Sequence, residues 1–149
     1  MPTSGLPAAL VADANAVVSA VIGGRASLVF GNSDTPPVYA ADAVRQEVLE
    51  WLPKPGAKRS LDLGLLLALF QLLPIRWADK AEYQRHEKEA RRRMRRRDED
   101  DWPTVALALT LSGSRSISIW TNDGDFSVAA IDTIATGEVL DTLRRTAGR

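Results

Sequence analysis

Ala8-Ala9-Leu10-Val11-Ala12-Asp13 is an unbroken apolar run that stops on an acid, and Asn15 to Ile22 then reads as a helix ended by Gly23-Gly24. A short run apolar at every position suits a strand buried on both faces of a parallel sheet. Strand, acid, helix in that order puts residue 13 at the carboxyl edge of such a sheet, where α/β proteins bind ligands. The simpler role of Asp13 is to cap the helix. Taken alone, the residue says no more than that.

Outward from this unit, Asn32 to Pro37 is a turn cluster and Val38-Tyr39-Ala40 a short second strand. From Ala41 to Leu52 the apolar residues Val44, Val48, Trp51 and Leu52 fall on one helical stripe. Glu47 borders that stripe and needs a cation or a basic partner, because an unpaired buried carboxylate is costly. Glu50 lies farther round and is solvated. Pro53 to Gly56 breaks the helix, and Ser60 is placed to cap the next, over 61–73. That helix is apolar nearly all round, which predicts burial in the core or against another chain. Ile75-Arg76-Trp77 is a short strand or an extended connector. Asp79 and Glu82 have capping-box spacing and open a long helix through about Arg97, with His86 exposed on it.

The last seven residues of that helix hold six arginines: Arg91, Arg92, Arg93, Arg95, Arg96 and Arg97. Glu87–Arg91 and Glu89–Arg93 are favourable i, i+4 pairs, which leaves four cations crowded at a helix end. Such self-repulsion points to a polyanion, and nucleic acid is preferred over a merely solvated face. Asp98-Glu99-Asp100-Asp101 follows at once, opening a helix over Trp102–Leu111 with Pro103 in its first turn. Helix starts favour acids, but one or two suffice and four repel one another. Ile117-Ser118-Ile119-Trp120 is a strand, and Asp123 comes just after its end, with Asp125 two residues on. Ile131 to Thr136 suits a last strand and Glu138 to Arg145 a closing helix.

The composition narrows the chemistry. Among 149 residues there is no cysteine and one histidine, which excludes thiolate and multi-histidine metal sites. A metal here must be held by oxygen, as Mg²⁺ or Mn²⁺ would be. The formal net charge is zero, with 19 basic and 19 acidic residues, so the distribution of charge informs and its sum does not. No signal-peptide pattern is present, and the apolar run at 61–73 is too short to span a bilayer. A single domain over 1–149, cytoplasmic and away from membranes, is expected.

Asp13, Glu47, Asp101 and Asp123 occupy positions that a parallel sheet can bring to one edge, and a shared divalent cation would let all four stay ionised. Here the chain resembles the PIN-domain ribonucleases, including toxins of VapBC toxin–antitoxin modules. The resemblance rests on Val11-Ala12-Asp13-Ala14-Asn15, on Val44-Arg45-Gln46-Glu47-Val48, on Arg97 to Pro103 with its Ala-Leu-rich helix, and on Trp120 to Phe126. It implies a three-layer α/β/α sandwich around a parallel sheet and an acidic Mg²⁺ or Mn²⁺ site that cleaves RNA. By the same resemblance Asp13, Glu47, Asp101 and Asp123 are the metal-binding and catalytic acids, with Asp98 and Asp125 as auxiliaries. Asp100 competes with Asp101 for the third place. Asn15 and Thr121 orient substrate or Asp123, and Arg91, Arg92, Arg95, Arg96 and Arg97 hold the RNA backbone. An antitoxin and a second copy of the chain are the implied protein partners, with helices 41–52 and 61–73 as candidate surfaces. The rival readings are a catalytically silent binding module and a small-molecule phosphatase. The second is disfavoured by Asn15, which stands where an aspartyl-phosphate mechanism wants an acid.

Overall fold

The computed structural model describes residues 5–54 and 62–147; the side chain of Asp125 and the suggested cap Ser60 lie outside the described set. Five strands form one sheet, β1 (Ala9–Ala12), β2 (Val38–Ala41), β3 (Ile75–Ala78), β4 (Ile117–Trp120) and β5 (Thr133–Ile134). They lie in the order β3-β2-β1-β4-β5, and every pairing is parallel. Parallel strands need crossovers, which here are helical and cover both faces. Helix α1 (Ala14–Val21) packs on both α2 (Ala26–Phe30) and α3 (Asp42–Trp51). Of the later helices, α7 (Trp102–Leu111) packs on α5 (Lys80–Tyr83), on α6 (Glu87–Met94) and on the sheet, while α8 (Thr136–Ala147) packs on α2. The three-layer α/β/α arrangement is thus as expected.

All four residues of β1 are buried, which is why an apolar run without alternation forms the central strand. The chain order reverses beside it, because β2 and β3 extend one way and β4 and β5 the other. That is the topological switch point, where a crevice opens at the carboxyl ends of β1 and β4. Ala12 pairs with Trp120 in register, so Asp13 and Thr121 leave the sheet side by side.

Three expectations are corrected. The helix at Leu63–Leu72 (α4) is capped by Asp62, whose side chain accepts from the Leu65 N–H. In the core α4 buries Leu66 and Phe70, while Leu63, Leu65, Leu69 and Leu72 stay exposed, the arrangement expected if its other face meets another chain. The long arginine helix is broken: the capping box at Asp79 and Glu82 opens α5, a 3₁₀ turn at Gln84–His86 intervenes, and α6 ends at Met94. His86 therefore sits half-buried in the turn, accepting from Arg85 Nε at 3.3 Å. No helix among the described residues is long and apolar enough to cross a membrane.

Candidate active site

Asp13 is the N-cap of α1 and 5% exposed. Its Oδ1 accepts from the Ala16 N–H at 2.8 Å, and its Oδ2 accepts a short hydrogen bond from the Thr121 hydroxyl. Thr121 in turn accepts the Asp123 N–H at 2.9 Å. The single hydroxyl proton of Thr121 is thereby spent on Asp13, while its oxygen holds the backbone of Asp123. A positioning chain runs from the end of β4 to the acid at the end of β1.

The segment after β4 is tied from behind. Thr136, the first residue of α8, is buried and accepts from Trp120 Nε1 at 3.0 Å and from Asn122 Nδ2 at 3.1 Å. Its own N–H donates to Asn122 Oδ1 at 3.0 Å. Neither Thr136 nor Asn122 stood out in the sequence as a functional residue. They fix the direction in which Asp123 leaves the strand.

Asp101 comes from the other side, as the last residue of a 3₁₀ turn (Glu99–Asp101) that leads into α7. Asp98 starts that turn by accepting from the Asp100 N–H at 3.0 Å. Trp102 anchors it, buried at 7% exposure, with its ring centroid 5.6 Å from that of Tyr83 and the Arg91 guanidinium 5.0 Å from its face. Glu47 projects from α3 and shares with Asp100 and Asp101 the lining of a small cleft of about 20 Å³. That is room for roughly one water or one ion. Asp100 and Asp101 both reach this cleft, and Asp101 is the less exposed of the two. Asn15 is exposed beside Glu47, on the wall of a groove between α1 and α3.

The electrostatics join these positions. Burial, and then the charges of Asp98, Glu47, Asp13 and Asp123, push Asp101 from its ordinary 3.8 up to about 7. Glu47 is raised by desolvation and by Asp13 and Asp98, and Asp13 by burial with a contribution from Asp123. Among the described residues no basic side chain forms an ion pair with Asp13, Glu47 or Asp101. The four acids share one field without forming a contact cluster, for among the described residues no three His, Asp or Glu side chains stand close enough to ligate one ion. Their chemistry nonetheless fits a hard divalent cation: every donor is oxygen, and beside burial, the main cause, each raised pKa carries a like-charge repulsion that such a charge would relieve.

A pH dependence follows. Asp101 titrates higher folded than unfolded, so its contribution to stability is full below about pH 4 and is lost as pH rises through about 7. In chelator, the parent protein loses melting temperature between pH 5 and 8 on the order of the pKa window just given, and Asp101→Asn flattens that loss. At pH 8 the variant is the more stable by about 1–2 kcal/mol, a figure discounted for partial exposure. Identical melting profiles for the two proteins would show that Asp101 does not feel the other acids.

The arginines are more committed than the sequence suggested. Arg91 pairs with Glu87 at 2.8 Å and Glu99 at 3.4 Å, and Arg93 with Glu89 at 2.7 Å and the Ala129 carbonyl at 2.7 Å. Arg92, assigned to the surplus, also pairs with Glu89. Arg95, Arg96 and Arg97 are exposed. Arg92, Arg93, Arg95 and Arg96 line a groove of about 680 Å³ with Val128 and Ala130, against the 3₁₀ segment Gly124–Ala129 that follows Asp123.

A sequence profile of the PIN domain matches residues 11–145. VapBC2 from Rickettsia felis, solved bound to a DNA fragment from its promoter, superposes with a TM-score of 0.60 at 14% identity, covering 85% of this chain and 98% of that one. FitAB bound to an IR36 DNA fragment gives 0.57 at 18% identity, over 85% and 94% of the two chains. FitAcB from Neisseria gonorrhoeae gives 0.54 at 16%, over 86% and 98%. At such identities the likeness is one of fold. No curated protein sequence matches the chain.

Proposed function

The chain belongs to the PIN-domain family, and from that premise we propose that it is a Mg²⁺- or Mn²⁺-dependent endoribonuclease, the toxin of a toxin–antitoxin pair. The observation that carries this reading is the shared field of Asp13, Glu47, Asp101 and Asp123 at the switch point, free of basic partners at Asp13, Glu47 and Asp101. Asp13, Glu47, Asp101 and Asp123 would hold the cation, with Asp98 and Asp100 at the rim. When bound, the cation lowers the pKa of a water and neutralises charge on the scissile phosphate. Thr121 holds Asp13 in one rotamer by its hydroxyl. Trp102 and Tyr83 fix the turn bearing Asp101. The exposed Arg95 and Arg96 attract the flanking phosphates and add affinity with little sequence preference.

Two surfaces support the partner assignments. The groove between α1 and α3 holds about 450 Å³, with Val18, Ile22 and Trp51 as apolar lining and Glu47 at its end. It suits an antitoxin helix that carries a Lys or Arg toward the acids. The leucines exposed on α4 suit a second copy of the chain.

The test is direct. Purified protein cuts single-stranded RNA internally with Mn²⁺ or Mg²⁺ and leaves it intact in chelator. Mn²⁺ also raises its melting temperature, in proportion to how far the ion exceeds its Kd. RNA binding that weakens with salt, with no metal-dependent cutting, would replace the nuclease by a silent binding module.

A further inference from the structure

A second cationic site stands at the other end of the sheet. Arg115 precedes β4, whereas Thr121 follows it, so the two ends are separated by the strand's length, about 13 Å. Arg115 Nη2 donates to the Tyr39 hydroxyl at 2.9 Å, and Arg76 Nη1 donates to the same oxygen at 3.1 Å. Both guanidiniums also lie near the Tyr39 ring, at 4.9 and 5.5 Å from its centroid. Tyr39 and Arg76 are register partners on β2 and β3, so this grouping is built into the sheet.

The grouping is all donor. Among the described residues neither arginine forms an ion pair with a carboxylate. The Tyr39 oxygen accepts twice, which leaves its own hydroxyl proton to donate outward, and no acceptor for it is present among the described residues. Arg115 Nε is buried with no hydrogen-bond partner. Two like charges brought within reach of one oxygen repel, and a buried guanidinium N–H without an acceptor is unfavourable. Desolvation pushes the Tyr39 phenol up, yet the hydrogen bonds and charges of Arg76 and Arg115 outweigh it and leave it below its usual value. Arg76 is exposed and also walls a cleft of about 300 Å³ with Asn32, Thr35 and Pro74, so the cluster is open to solvent.

We propose that Arg76, Tyr39 and Arg115 form a binding site for a dianionic phosphate, separate from the acidic site. Two uncompensated positive charges match a charge of minus two better than a monoanionic diester or carboxylate. The forked N–H groups and the hydroxyl suit a tetrahedral oxyanion with acceptors on several sides. Inorganic phosphate and the terminal phosphate of an RNA chain carry the same group.

The test uses the full chain in chelator, so it is independent of cleavage. Calorimetric titration with inorganic phosphate gives saturable binding with Kd on the order of 0.1–1 mM. Tyr39→Phe, which keeps the ring and removes the hydroxyl, weakens it severalfold, and Arg115→Gln by about tenfold or more. Asp13→Asn leaves it unchanged. A short RNA bearing a 5′-phosphate is then compared with its 5′-hydroxyl twin. A preference present in the parent and absent in Arg115→Gln assigns the site to RNA ends, and no preference assigns it to free phosphate. The proposal is overturned if phosphate does not saturate by about 10 mM, if succinate binds equally well, or if a folded Tyr39→Phe binds as the parent does.

Discussion

Asp13→Asn lowers metal-dependent RNA cleavage by about 10³-fold or more while the protein keeps its fold. The substitution is chosen because asparagine caps a helix as well as aspartate does, so the bond from the Ala16 N–H survives. The new amide nitrogen meets Thr121 Oγ1, which can turn to accept it. Only the charge is lost, and that charge is held in a buried setting that disfavours it. The melting temperature in chelator is therefore expected to match or exceed the parent's. Cleavage and melting measured on the same preparations check both halves. Parent-like cutting would remove Asp13 from the chemistry and leave it as a helix cap.

Trp102→Ala has the largest expected effect on stability, a loss of about 3–5 kcal/mol. The side chain is 7% exposed, packs on Tyr83, and carries the Arg91 and Lys80 cations over its faces at 5.0 and 5.9 Å. Removing it opens a cavity between α5, α6 and the start of α7. For a chain of this length the melting temperature falls by about 10 °C. The loss also reaches function, because Asp101 immediately precedes the tryptophan and takes its direction from it. Trp102→Phe retains most of the packing and loses less on both measures. A Trp102→Ala protein melting within about 2 °C of the parent would mean that the turn is held elsewhere.

What could be read from the sequence was whatever local pattern decides. The continuous apolar run of β1, the proline-started helix α7 and the alternation of β4 lie where composition put them. The acids at strand and helix ends were visible because caps and turns leave signatures within a few residues. What escaped depends on partners far along the chain. Thr136 holds Trp120 and Asn122 across more than a dozen residues, and Asp42 accepts from both Tyr83 and the Lys80 N–H to dock α5 on α3. Nothing near those residues announces such ties. Helix α2 has five residues, too few for a period to show. The arginine run misled because local pairing was counted only at i, i+4, whereas Arg92 reaches Glu89 at i, i+3 and Arg93 reaches Ala129 through space. On α4, hydrophobicity pointed to burial in the core or against another chain, and only the three-dimensional structure shows that half of that helix faces out of the core.

The bond between Thr121 and Asp13 joins residues 108 apart in sequence. Ribosomes add about 5–20 residues each second, so for roughly 5–20 s a nascent chain has only the local cap at Ala16 to orient its first acid. A chain that stops before β4 therefore lacks the Thr121 hydroxyl that completes the orientation of Asp13. That orientation arrives with the strand that completes the centre of the sheet.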